Sequence, residues 1–125
     1  MRSRRRDARV TTTDGIEIAS RCELAYGMFA RMRGLLGRDG LAEGHGMWFP
    51  RTSSVHMFFM RFPIDVVFVD RANRIVRIAA DLRPGRIAAA RRARAAFELP
   101  AGTAARLGLA PGMTLVVDEG ASAPG

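Results

Sequence analysis

The densest apolar run in the chain lies between Ser54 and Asp70. Its second half, Ile64 to Val69, is short, β-branched and aromatic, and it ends on the turn formers Asp70-Arg71-Ala72-Asn73, a pattern that predicts a strand. Side chains alternate across a strand, which puts Ile64, Val66 and Phe68 on one face and Asp65, Val67 and Val69 on the other. Both faces are apolar, so the strand is expected to be central and covered on both sides. Asp65 then lies on a buried face. A buried carboxylate needs a partner, and Arg61 and Arg33 are the candidates. The first half, Val55 to Met60, predicts another strand, with His56, Phe58 and Met60 on one side and Val55, Met57 and Phe59 on the other. Pro63 lacks an N–H and bends the chain between the two.

The same reading extends to both ends. Val10–Thr13 and Ile16–Ala19 flank Asp14-Gly15, a hairpin signal, and the second strand runs on to about Tyr26. Met28, Phe29, Met32, Leu35 and Leu36 fall on one face at helical period, so residues 28–36 predict a helix, with Gly37 placed to end it. Gly44 and Gly46 bracket His45, and Met47-Trp48-Phe49 forms a short buried strand ending at Pro50. Arg74 to Ala80 alternates and pairs with 64–69 as a hairpin. Pro84-Gly85 marks a turn, and residues 86–94, rich in Ala and Arg, fit either a helical turn or a mobile loop. Ala95–Leu99 is a strand, Thr103 can cap a short helix at 103–107 that Gly108 ends, and Thr114–Val117 is the last strand. Many short strands with one or two short helices predict a mainly β fold, a compact sandwich or barrel. The domain is expected over residues 9–118, between a basic disordered tail at 1–8 and a frayed tail at 119–125.

Composition narrows the function less than the fold. The chain has 125 residues, 48% hydrophobic and 26% charged, as a soluble single domain would. No apolar run is long enough for a membrane span, and no apolar h-region follows the basic start, so a cytoplasmic protein without membrane contact is expected. Cys22 is the one cysteine, which excludes an internal disulfide. All 20 basic residues are Arg, against 12 acids, for a net charge of +8. Five of them lie in the first ten residues. Another cluster, Arg83, Arg86, Arg91, Arg92 and Arg94, has no acid between Asp81 and Glu98. That cluster reads either as a solvated loop or as a nucleic-acid surface.

Four segments in order carry a resemblance: Arg33-Gly34-Leu35-Leu36-Gly37-Arg38, Gly46-Met47-Trp48-Phe49, the run Phe59 to Phe68, and Phe97-Glu98-Leu99-Pro100-Ala101-Gly102. Together they resemble the domain-of-unknown-function 192 family of bacteria and archaea, over about residues 20–118. The resemblance implies a small mainly β fold and no established activity. Members often carry Met where this chain has Leu36, and a Trp-Met pair where it has Phe59-Met60. The matching positions that are not plain core are Arg33, Arg38, Met60, Asp65 and Glu98.

Three chemistries are open to these residues. The first is a binding or accessory module, with a polar pocket framed by Arg33, His56, Met60, Arg61 and Asp65 and walled by Trp48. The competing reading is a structural Arg33–Asp65 pair that fixes helix to sheet. The second is a soft-metal site at His56 and Met60, drawing on His45, Met47, Met57 and Cys22, although no chelate spacing is present. The third is catalysis by His56 with Asp65, or by Cys22; no nucleophile elbow, phosphate loop or carboxylate pair supports it. The expected protein is a binding module without cofactor, metal or catalytic residues, taking a small ligand or a protein. Nucleic-acid association through the basic tail and residues 83–94 is the alternative, and the oligomeric state is open.

Overall fold

The computed structural model describes residues 7–25 and 39–121. The predicted helix at 28–36, with Arg33, and Arg38 fall outside them. Nine strands dominate the described residues: β1 (Asp7–Thr12), β2 (Glu17–Leu24), β3 (His45–Pro50), β4 (Ser54–His56), β5 (Ile64–Val69), β6 (Ile75–Leu82), β7 (Ile87–Ala89), β8 (Ala95–Pro100) and β9 (Leu115–Asp118). One short helix, α1 (Thr103–Leu107), and a single 3₁₀ turn, Glu119–Ala121, complete the described elements. Seven strands form one sheet in the order β6-β5-β8-β3-β2-β1-β9, and β4 and β7 form a separate ribbon.

The hairpin signals hold. Gly15 turns β1 into β2 at φ 96°, and Asn73, at φ 61°, turns β5 into β6. β2 and β3 run parallel, while β3–β8, β8–β5 and β5–β6 are antiparallel. The sheet curls until its outer strands touch. Arg74 and Thr114 form one antiparallel bridge, and Ile75 and Met113 bond through their backbones. That contact joins a single corner, so the sheet does not close as a barrel. Gly46 is required where β3 meets β8: a Cβ there would lie 2.8 Å from the Phe97 ring and 3.2 Å from the Glu98 carbonyl.

β5 sits between β6 and β8 with all six residues buried, as the unbroken apolar run predicts. Its two faces feed two cores. Val67 and Val69 join Val10, Cys22, Leu24, Trp48, Phe97, Leu99 and Leu115 on one side. Ile64, Val66 and Phe68 join Met47, Phe49, Val55, Met57 and Ala96 on the other. The first side is closed at one end by α1 through Ala104. The second is covered by the β4–β7 ribbon, which supplies Val55 and Ala88.

Three local readings change. The strand expected over 55–60 ends at His56, and Met57–Met60 is a turn closed by the Met60 N–H on the Met57 carbonyl at 3.2 Å. Residues 86–94 hold β7, because Ile87–Ala89 finds a pairing partner in β4 that no local pattern announces. The residue capping α1 is Gly102, in a left-handed conformation, with Thr103 as the first helical residue.

Candidate functional site

Asp65 is fully buried, and its partners among the described residues are backbone groups. Its Oδ1 accepts from the Asp81 N–H and its Oδ2 from the Ala104 N–H, each at 2.9 Å. Both donors need it. The β5–β6 register slips between Ile64 and Val66, bulging β6 around Asp81, whose φ is 51°. The α1 cap, Gly102, brings no side chain to the first turn, so Asp65 supplies the missing acceptor from a neighbouring strand. One carboxylate thus ties strand, bulge and helix together.

Arg33 lies outside the described residues, and the other expected pocket residues do not gather round Asp65. Arg61 pairs with Asp39 at 3.1 Å on the surface. Trp48 is buried against Phe97, ring centroids 5.3 Å apart. Met60 packs half-buried at the edge of the second core. His56 is exposed and stacks on Phe58 at 5.1 Å. The ribbon that carries His56 covers one face of the sheet, and Asp65 points to the other, so the two do not form a catalytic pair.

Cys22 belongs to the first core and Met47 and Met57 to the second, so the soft donors are split by the sheet. Among the described residues no three of His, Cys, Asp and Glu converge on a metal position. Burial above all, with the Asp7 and Glu23 carboxylates nearby, pushes the Cys22 thiol up to about 12. The thiolate needed for nucleophilic attack is therefore absent at neutral pH. In folded protein Cys22 is expected to resist a disulfide reagent at mildly alkaline pH and to react fully once the chain is unfolded in urea. Rapid reaction of the folded protein would contradict the burial.

The arginines do converge. β3 ends and β8 begins side by side, with Pro50 opposite Ala95, so the register brings Arg51, just past β3, next to Arg94, just before β8. The Thr52 N–H bonds the Arg94 carbonyl, and the Ala90 N–H bonds the Ser53 carbonyl. The result is an open cleft of about 620 Å³ lined by Arg51, Ser53, Arg91, Arg92, Ala93 and Arg94. No carboxylate lines it. None of these four guanidinium groups is ion-paired among the described residues, whereas Arg9, Arg61, Arg83 and Arg106 each have a carboxylate partner. Arg51 also holds φ at 51°, a left-handed conformation that a long side chain rarely adopts. Of the arginines singled out in the sequence, Arg91, Arg92 and Arg94 enter the cleft; Arg83 pairs with Asp81, and Arg86 lies at the far end of β7. Arg51 was not legible as a member, because only the β3–β8 register brings it there.

No curated protein matches the chain. Two solved structures share its fold. One, a protein of unknown function from Novosphingobium aromaticivorans DSM 12444, is 32% identical with a TM-score of 0.76, over 88% of this chain and 83% of that one. The other, described as a "putative transcription regulator" from Sinorhizobium meliloti 1021, is 28% identical with a TM-score of 0.78, over 94% and 96%. Among the described residues no helix is long and apolar enough to cross a membrane. The family model described as uncharacterized ACR matches residues 9–117, nearly the whole domain whose segments were read above, and the chain belongs to that DUF192 family.

Proposed function

We propose that the protein is a binding module for phosphate-bearing anions, and that the arginine cleft is its binding surface. The observation that carries this reading is the gathering of Arg51, Arg91, Arg92 and Arg94 around one opening with no carboxylate among the lining residues. Like charges brought together repel, and an anion in the cleft relieves that repulsion while accepting several charge-assisted hydrogen bonds. Arginine suits the task because its planar fork meets two phosphate oxygens at once. Asp65 contributes stability to the domain in this reading, and no catalytic step is required of any residue. The description of the Sinorhizobium relative as a transcription regulator favours nucleic acid among the carriers of phosphate. A cytoplasmic setting is part of the proposal.

Calorimetric titration with inorganic triphosphate is expected to give binding that weakens steeply with added salt. The double substitution Arg91→Ala, Arg92→Ala is expected to weaken it at least roughly tenfold, since each lost charge-assisted bond is worth about 1.5–3 kcal/mol before screening. Both side chains are exposed, so the unfolding midpoint should stay put. Absence of triphosphate binding by the unaltered protein, or equal binding by the variant, would overturn the reading.

A further inference from the structure

We propose that the β4–β7 ribbon is a binding surface for single-stranded nucleic acid, its phosphates held in the arginine cleft and its bases stacked on the aromatic turn at Phe58 and Phe59. This rests on the cleft being an anion site and extends it to the polymer that carries the anion.

The ribbon has a basic end and an aromatic end. At one end Ser53 leads into β4 and Ala90–Arg94 leaves β7, which is the cleft. At the other end the chain turns at Met57–Met60, and the Met57 N–H and carbonyl are held by Arg86 and Gly85 of the neighbouring turn. Phe59 is the third residue of the Met57–Met60 turn at φ 67°, a position that glycine usually fills. Its ring is 88% exposed, so no core contact compensates for the left-handed backbone. Backbone strain at an exposed aromatic side chain marks a place selected for something other than stability. Phe58, 44% exposed, stacks on His56, and Ile87, 62% exposed, stands opposite His56 across the ribbon. Three rings and an isoleucine thus face solvent at one end.

Three residues of strand span about 10 Å, so the aromatic end and the cleft lie within reach of a few extended nucleotides. Phosphates in a basic groove and bases on aromatic faces are how sequence-tolerant single-strand binders work. A flat anionic bilayer fits less well. Around the aromatic end, Arg61 and Arg83 are neutralised by Asp39 and Asp81, leaving Arg86, while the unbalanced positive charge sits at the opposite end. A polymer whose charged and stacking groups are separate along its length matches that division.

The test is fluorescence anisotropy of labelled oligothymidylate and oligouridylate against the full chain. Unaltered protein is expected to bind with strong salt dependence. Phe59→Gly is expected to weaken oligonucleotide binding roughly tenfold while leaving triphosphate binding unchanged. It is also expected to raise the thermal midpoint by about 3 °C as the strain is relieved. A purely structural Phe59 would not move binding and stability in opposite directions. Equal oligonucleotide binding by Phe59→Gly overturns the proposal and leaves the anion site standing; loss of triphosphate binding by unaltered protein removes both. Phe59-dependent flotation with phosphatidylglycerol vesicles, without oligonucleotide binding, overturns it in favour of a bilayer.

Discussion

Asp65→Ala is expected to destabilise the domain by about 3–5 kcal/mol, enough to unfold much of a protein of this size at moderate temperature. The substitution removes a fully buried side chain and strands two backbone donors, the Asp81 N–H in the β6 bulge and the Ala104 N–H in the first turn of α1. Each unsatisfied buried donor costs about 1–3 kcal/mol, and the space left behind adds to that. Asp65→Asn should fall between the two. It keeps the size and one acceptor oxygen, but turns an amide N–H towards one of the two donors. The comparison that isolates the mechanism is Arg61→Ala. Its pairing with Asp39 is exposed on both sides, and its loss should cost less than about 0.5 kcal/mol. Urea unfolding followed by circular dichroism measures all three. If Asp65→Ala and Arg61→Ala were equally mild, the carboxylate would not be the clasp described here.

The contrast between those two residues shows what could be read in advance. Ile64 to Val69 announced its strand, its central place and both of its faces through residue type, since a strand buried on two sides is apolar almost throughout and Asp65 is the one polar residue among its six. The Asp14-Gly15 and Asp70–Asn73 turns were equally plain, because their conformations demand particular residues. The burial of Asp65 followed from alternation. Its partners among the described residues did not, since they are backbone N–H groups on a bulge and a helix start, and backbone carries no sequence signature.

The surface was harder still. Phe58 and Phe59 look like strand residues by composition, and a turn with phenylalanine where glycine belongs breaks the rule used to find turns. β7 is three residues of isoleucine and alanine, too short to show a period, and forms because β4 lies opposite. The arginine cluster at 91–94 was visible as charge. Its conversion into a cleft depends on Arg51, about forty positions away in the chain, arriving through the β3–β8 register.

Glu98→Gln is expected to stabilise the protein at alkaline pH and to flatten its pH dependence. Glu98 lies on β8 with Met47 directly across on β3 and Val66 on β5, and its side chain is almost wholly buried. Loss of hydration pushes its carboxyl up from 4.5 to about 8. The folded protein therefore holds a proton that the unfolded chain has released over the window between 4.5 and 8. Stability from this group is full below that window, falls as pH rises through it, and levels off above the folded value. The total fall is at most on the order of 5 kcal/mol, from about 1.4 kcal/mol for each pH unit. Glutamine keeps the shape of the protonated acid and cannot ionise, so the variant should match the unaltered protein near pH 4.5 and exceed it by several kcal/mol above pH 8. Urea midpoints measured across that range read the difference directly, because every other titrating group is common to both chains. Parallel profiles would mean that Glu98 is charged in the folded state and held by a compensating positive group. Divergence of the predicted sign would identify it as a protonated core residue, whose match to the family pattern reflects packing between β3 and β5.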